Sequence, residues 1–182
     1  MLGLLRGAVV LCAHDAIWHV QAEETIALLR RLLGDAVVAA EHVGSTAVPG
    51  LAAKPIIDIA VAVRDLRDMD PFCERLAQEG IREACQDLPG QRLFVMGDFA
   101  KNTRTHHIHA VIWDSSAWRN YIRFRDYLCA FEDKCAEYEA EKRNLAAMYP
   151  QDRTMYTQKK SAIVEMLLGQ ANQWVQEREN DG

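Results

Sequence analysis

"EHVGSTAVPGLAAKPIIDIAVAV", residues 41–63, sets a Gly-Ser-Thr turn at the end of one apolar run and a single acid, Asp58, inside the next. Residues two apart along a strand share a face. From Pro55 to Val63 one face carries Ile57, Ile59, Val61 and Val63, all branched and suited to packing; the other carries Ile56, Asp58, Ala60 and Ala62. That second face is cleared of bulk around one charge. A charge in an otherwise apolar strand costs on the order of several kcal/mol unless it is paired or bound to a cation. Asp58 therefore either meets a basic partner or helps to hold a metal. Gly44-Ser45-Thr46 has two readings as well. Glycine permits a tight turn whose backbone N–H groups and hydroxyls cradle a phosphate, and the same tripeptide caps many helices.

Outward from this stretch the pattern is mixed. Val9–Cys12 reads as a short edge strand. Between Asp15 and Leu33, Ile17, Val20, Ile26, Leu29, Leu32 and Leu33 recur at helical spacing, with Gly34 as the stop. Val37–Val43 and Pro55–Val63 read as strands, and Asp70-Pro71 opens a helix through Glu79 that Gly80 closes. Arg92–Met96 and Thr105–Trp113 read as two further strands. Beyond Ser116 the chain is helical: Trp118, Tyr121, Ile122, Leu128 and Phe131 line one face, Pro150 interrupts, and a last helix runs to about Trp174. Trp18, Trp118, Tyr121 and Phe124 read as core, and "EDKCAEYEAEK" as a solvated helix face. The order predicts an α+β fold, a mixed sheet with helices packed on it and a helical C-terminal third. One domain is expected over residues 1–175, with a frayed polar tail over 176–182.

Composition narrows the function classes. The 182 residues are 49% hydrophobic and 26% charged, as expected of one globular domain. A net charge of −5 argues against broad electrostatic capture of a nucleic-acid backbone. The five cysteines form no Cys-x-x-Cys pair, so neither a disulfide framework nor a zinc site is indicated, and reduced thiols in the cytoplasm are expected. "MLGLLRGAVVLCAHD" resembles a signal peptide only until Arg6 interrupts it. No run approaches the roughly 20 apolar residues of a membrane span, so a soluble protein with no membrane partner is expected.

Two further places attract chemistry. Thr105, His107 and His109 share one face of their strand, and paired imidazoles at i and i+2 ligate a metal, donate to a phosphate or simply line a polar edge. Lys54, between the turn and the Asp58 strand, is placed to neutralise a phosphate or to sit in solvent.

"EHVGSTAVPGLAAKPIIDI" closely resembles the signature of the GrpB family, in the nucleotidyltransferase superfamily and associated in some chains with dephospho-CoA kinase. "HDAIW" is similar to that family's Tyr-Asp-Pro-x-Trp entry motif, with His14 and Ala16 in place of the Tyr and Pro. "HHIHAV", "FRDYL", "YEAEKRNLA" and "YTQKKSAIV" resemble its later blocks in order. The resemblance implies a nucleotidyltransferase-like fold, Gly44-Ser45 as the phosphate-holding motif and Asp58 as a Mg²⁺ ligand. It implies catalytic roles for Asp58, Ser45, His107 and His109, the histidine strand standing in for a missing carboxylate strand. It adds Gly44, Thr46, Lys54, Arg92, Arg104, Tyr156 and Lys159 as ligand-binding positions. One departure is plain: superfamily enzymes carry a second acid two residues after the first, and here that position is Ala60. Two-metal phosphoryl transfer relies on several carboxylates. The expected function is thus binding of a nucleotide or other phosphate-bearing small molecule, with either Mg²⁺-dependent transfer or a degenerate binding module behind it. A third reading draws on fungal GrpB-like proteins that resemble cyclodipeptide synthases and would bring in tRNA; the absence of any basic block weighs against it.

Overall fold

The computed structural model describes residues 2–84 and 89–180. In chain order the elements are β1 (Leu4–Leu5), α1 (Ile17–Leu33), β2 (Ala39–Val43), β3 (Ile57–Val63), α2 (Cys73–Gln78), β4 (Arg82–Glu83), β5 (Gln91–Met96), β6 (Thr103–Arg104), β7 (His106–Ile112), α3 (Ser116–Ala130), α4 (Glu132–Met148) and α5 (Arg153–Asn180). Short 3₁₀ turns follow α1 and β2 and precede α2.

Five strands form one mixed sheet in the order β2-β3-β7-β5-β4, with β3 and β7 parallel and the other pairs antiparallel. The predicted alternation of β3 divides the molecule. Ile57, Ile59, Val61 and Val63 pack with Trp18, Leu29 and Leu33 of α1 and with Leu76 of α2 on one face. Each such buried side chain contributes roughly 1.5–3 kcal/mol. On the other face Ala60 and Ala62 pack with Val43, Val111 and Trp118 of α3. The small residues thus make room for an indole. Beyond α3, α4 and α5 close a second apolar cluster around Tyr127, Leu128, Tyr138 and Leu167.

Several boundaries differ from expectation. Val9–Cys12 is not a strand: Cys12 makes one isolated bridge to Ala53, and the N-terminal strand is Leu4–Leu5, paired with β6. The helix expected from Asp70 begins as a 3₁₀ segment at Leu66, because Asp65 accepts the Arg67 N–H and Asp68 accepts the Asp65 N–H in a reciprocal cap. The last helix does not stop near Trp174 but continues to Asn180. No helix among the described residues is long and apolar enough to cross a membrane. Of the cysteines, Cys12, Cys73, Cys129 and Cys135 are free, and Cys85 lies outside the described residues.

Candidate functional site

A cavity of about 560 Å³ opens between one end of the sheet and the C-terminal helices, within the usual range for a small-molecule site. Asp58 stands in its wall. Parallel pairing of β3 with β7 sets Asp58 beside His107 and Ala60 beside His109. The alternation that points Asp58 away from α1 therefore points both imidazoles the same way. His107 Nδ1 lies 3.2 Å and His109 Nε2 3.5 Å from Asp58 Oδ1. On its far side His107 Nε2 faces Arg153 Nη2 at 3.5 Å. A guanidinium only donates, so Nε2 accepts and the His107 proton sits on Nδ1, donated to Asp58. The chain continues through His109 Nδ1, 3.0 Å from the Tyr121 hydroxyl, which lies 2.9 Å from Gln91 Oε1.

The Asp58 side chain keeps 30% of its exposure. Burial pushes its carboxyl up, but the hydrogen bonds from His107 and His109 outweigh that and hold it well below the usual carboxylate range. Asp58 is anionic at neutral pH.

The turn after β2 faces this carboxylate. Gly44 has φ 72°, and a Cβ on it would lie 2.7 Å from Asp58 Oδ2. Both the backbone conformation and the closeness of the acid require glycine. Ser45 lines the cavity. Thr46 also borders it, but its buried hydroxyl is committed to His42 Nε2 at 2.9 Å, so it braces the turn rather than awaiting a ligand. Burial pushes the His42 imidazole down to about 4, which keeps that contact neutral.

Cations dominate the rest of the lining. Lys54 lies 5.1 Å from the centre of the Tyr156 ring, and burial followed by repulsion from Lys160 and Arg153 pushes its ammonium down to about 7. Lys142, buried among Tyr138, Ala52 and Glu139, donates to the Ala52 carbonyl and is likewise pushed down to about 7, first by burial and then by Lys160. Lys160 and Arg153 complete the set. Asp152 accepts the Met155 N–H at 2.9 Å and so caps α5, fixing Arg153 in its first turn against His107. Tyr121, Phe124, Tyr138 and Tyr156 form the aromatic walls.

Of the expected site residues, Gly44, Ser45, Thr46, Lys54, Asp58, His107, His109 and Tyr156 come together here. Three do not. Arg92 donates to Glu83 at 2.7 and 2.9 Å, to Asp70 at 2.6 Å and to the Leu66 carbonyl at 3.0 Å, tying β5 to β4 and the 3₁₀ segment. Arg104 lines a neighbouring groove. Lys159 is exposed, because the stripe of α5 that faces inward runs through Tyr156, Lys160, Leu167 and Ala171. Two expected core residues, Tyr121 and Phe124, line the cavity instead. The segment expected to be a solvated face supplies Tyr138 and Lys142, while its Glu139 accepts the Ala52 N–H at 2.7 Å. The signal was there: Tyr138, Lys142 and Leu145 stand at i, i+4 and i+7, one buried stripe.

These donors do not fit a resident Mg²⁺. The ion takes oxygen ligands in near-octahedral order. Asp58 is the one carboxylate among the described lining residues, its Oδ1 already accepts from His107 and lies 3.5 Å from His109 Nε2, and ammonium and guanidinium groups surround it. No group of three His, Cys, Asp or Glu side chains among the described residues is arranged to hold a metal.

A family model described as "GrpB protein" matches residues 8–170. The chain is 37% identical over 173 residues to the glutamate-rich protein GrpB of Alkalihalophilus pseudofirmus, covering 93% of this chain and 99% of that one. The crystal structure of the conserved protein GrpB from Enterococcus faecalis superposes with a TM-score of 0.82 at 29% identity, covering 89% of this chain and 96% of the other. The Cid1 poly(U) polymerase superposes with a TM-score of 0.47 at 15% identity, covering 80% of this chain and 48% of that chain.

Proposed function

The chain belongs to the GrpB family, and we propose that it binds a nucleotide or another phosphate-bearing small molecule in the cavity beside Asp58. One observation carries the reading: Lys54, Lys142, Lys160 and Arg153 converge on a space whose described lining holds a single carboxylate. Like charges gathered in a low-dielectric space repel unless an anion joins them. Ser45 and the turn amides would receive the phosphate, the lysines and Arg153 would offset its charge, and the tyrosines with Phe124 would cover the apolar part of the ligand. A nucleotide suits such a wall because every base offers a π face to an aromatic ring. The free thiols at Cys12, Cys73, Cys129 and Cys135 support a cytoplasmic setting.

A second reading, phosphoryl or nucleotidyl transfer, is favoured by the His107–Asp58 pair. A carboxylate that holds Nδ1–H leaves Nε2 as the basic nitrogen, and an Arg153 that turns from Nε2 to a bound phosphate would free it to take a proton from an attacking hydroxyl. The test of binding is a thermal-shift screen of nucleotides and inorganic phosphates, each with and without Mg²⁺. Stabilisation by a phosphate-bearing compound that its unphosphorylated analogue does not reproduce is expected; a screen in which phosphates have no more effect than chloride at equal ionic strength would end the proposal. Loss of turnover, but not of binding, in His107→Ala would separate transfer from binding alone.

A further inference from the structure

Behind His107 the wall of the cavity is shared with a second groove of about 850 Å³, the two spaces having His107, Arg153 and Thr157 in common. Its cations are all arginines: Arg6, Arg82, Arg104 and Arg153. They are held, not scattered. Phe99 carries the guanidinium of Arg82 at 4.3 Å and that of Arg104 at 4.8 Å from its ring centre. Pairing of β1 with β6 places Leu4 opposite Arg104, and the Arg6 N–H donates to the Asn102 carbonyl at 2.9 Å, which brings Arg6 to the same rim. The hairpin that presents Phe99 depends on Gly97, where φ is 152° and a Cβ would run into the Thr103 carbonyl. Glu83 is the one acid among the groove's described lining residues, and Arg92 already holds both of its oxygens, at 2.7 and 2.9 Å. No described carboxylate pairs with Arg6, Arg82 or Arg104 in an ion pair.

We propose that this groove is a second anion site, built for a phosphate group by the guanidiniums that Phe99 and the β1–β6 pair bring together. Guanidinium forks match the paired oxygens of a phosphate, whereas an ammonium offers a point charge. The contrast with the cavity, where lysines predominate, gives the two spaces different tastes for the same chemistry. The phosphate belongs either to a second molecule or to the far end of the cavity's own ligand, since Arg153 borders both spaces. The groove's lining stands whatever the cavity takes.

Inorganic phosphate titrated into ¹⁵N-labelled protein at constant ionic strength tests it. Backbone amides of Phe99 and Thr103 report on the groove, and those of Ser45 and Thr46 on the cavity. Both sets are expected to saturate. Arg82→Gln, a change at an exposed side chain, is expected to weaken the groove response at least tenfold and leave the cavity response in place. Ser45→Ala is expected to do the reverse. Groove amides that do not move, or that titrate alike in wild type, Arg82→Gln and Arg82→Gln/Arg104→Gln, overturn the proposal. Silence at Ser45 and Thr46 with a working groove would instead count against the cavity reading alone. A flexible alkane bisphosphate then separates the sources: one equivalent bound more tightly than phosphate at both sets marks a spanning ligand, and two equivalents mark separate ones.

Discussion

Asp58→Asn separates a metal-binding carboxylate from an orienting one by the sign of its effect. If Asp58 served to hold Mg²⁺, the amide would weaken phosphate binding and abolish any dependence on the metal. The geometry argues the other way. Asp58 is an anion in the wall of a cavity whose lining includes four cationic side chains, with His107 and His109 beside it, so it would repel an incoming phosphate. At a separation of about 6 Å and an effective dielectric of about 20, one phosphate charge feels about 3 kcal/mol of repulsion. The open mouth and salt reduce this by roughly half, leaving about 1.4 kcal/mol, or tenfold in affinity. Asp58→Asn is therefore expected to bind inorganic phosphate and nucleotides about tenfold more tightly, with no Mg²⁺ requirement. The unliganded variant is expected to be less stable by about 1–3 kcal/mol, since two charge-assisted hydrogen bonds become neutral ones and Lys54 and Arg153 lose their counter-charge. Because the folded carboxyl lies below its unfolded value, its stabilisation is present above the ordinary carboxylate range and lost as pH falls through and below it. The variant should lack that part of the acid limb. Calorimetric titration of both proteins, with and without Mg²⁺, checks the affinities, and denaturant midpoints check the stability. Weaker phosphate binding in Asp58→Asn, together with a Mg²⁺ dependence present in the wild type and lost in the variant, would refute the reasoning.

Ser45→Ala should cost about 1 kcal/mol or more in phosphate affinity, the scale of one charge-assisted hydrogen bond; equal titrations of variant and wild type would make the hydroxyl a bystander. Lys160→Ala should weaken the same binding severalfold while Lys159→Ala leaves it alone, a pair that reads the phase of α5 directly by calorimetry. Lys54 and Lys142 sit near 7 in the folded protein and near 10.4 when unfolded. The unfolded chain therefore holds more protons between those values, and unliganded stability should rise with pH from about 7 towards 10, by at most about 1.4 kcal/mol per pH unit for each lysine. A bound phosphate favours the ammonium form, so affinity should fall over the same range and binding at pH 8 should take up protons. Titrations in buffers of different ionisation enthalpy would show it, and an affinity that does not change between pH 6.5 and 9 would count against both lysines.

The part of the site that was legible in the sequence is the part written by a period of two. Alternation along residues 55–63 separated Ile57, Ile59, Val61 and Val63 from Asp58, Ala60 and Ala62, and the same rule put His107 and His109 on a common face. That the two strands are adjacent and parallel, which turns two facts into one hydrogen-bonded cluster, is a property of topology. The helical third was harder. In α5 the inward stripe is narrow, and whether position 159 or 160 faces the sheet depends on the angle at which the helix leaves Asp152. In α4 the acidic run masked Tyr138 and Lys142, because composition averages over a helix while burial selects one stripe of it. Arg92 illustrates the opposite error. A basic residue matching a family block took the role of ligand contact, but Glu83 and Asp70 had already claimed it.

Ala60 explains why the site departs from a two-carboxylate arrangement without being a damaged version of one. Its side chain is fully buried, in one cluster with Val43, Val111 and Trp118, and its neighbour across β7 is His109. An acid there would need its own countercharge in a dry place, at a cost of several kcal/mol. Trp118 and the histidine strand together pack around the position that a second carboxylate would take. The alanine, the indole and the imidazole are thus one packing solution, and it leaves Asp58 to hold two rings in place while Lys54, Lys142, Lys160 and Arg153 line the cavity. The small face of β3 thus has two halves: Ala60 and Ala62 make room for α3, and Asp58 with Gly44 borders the adjoining cavity.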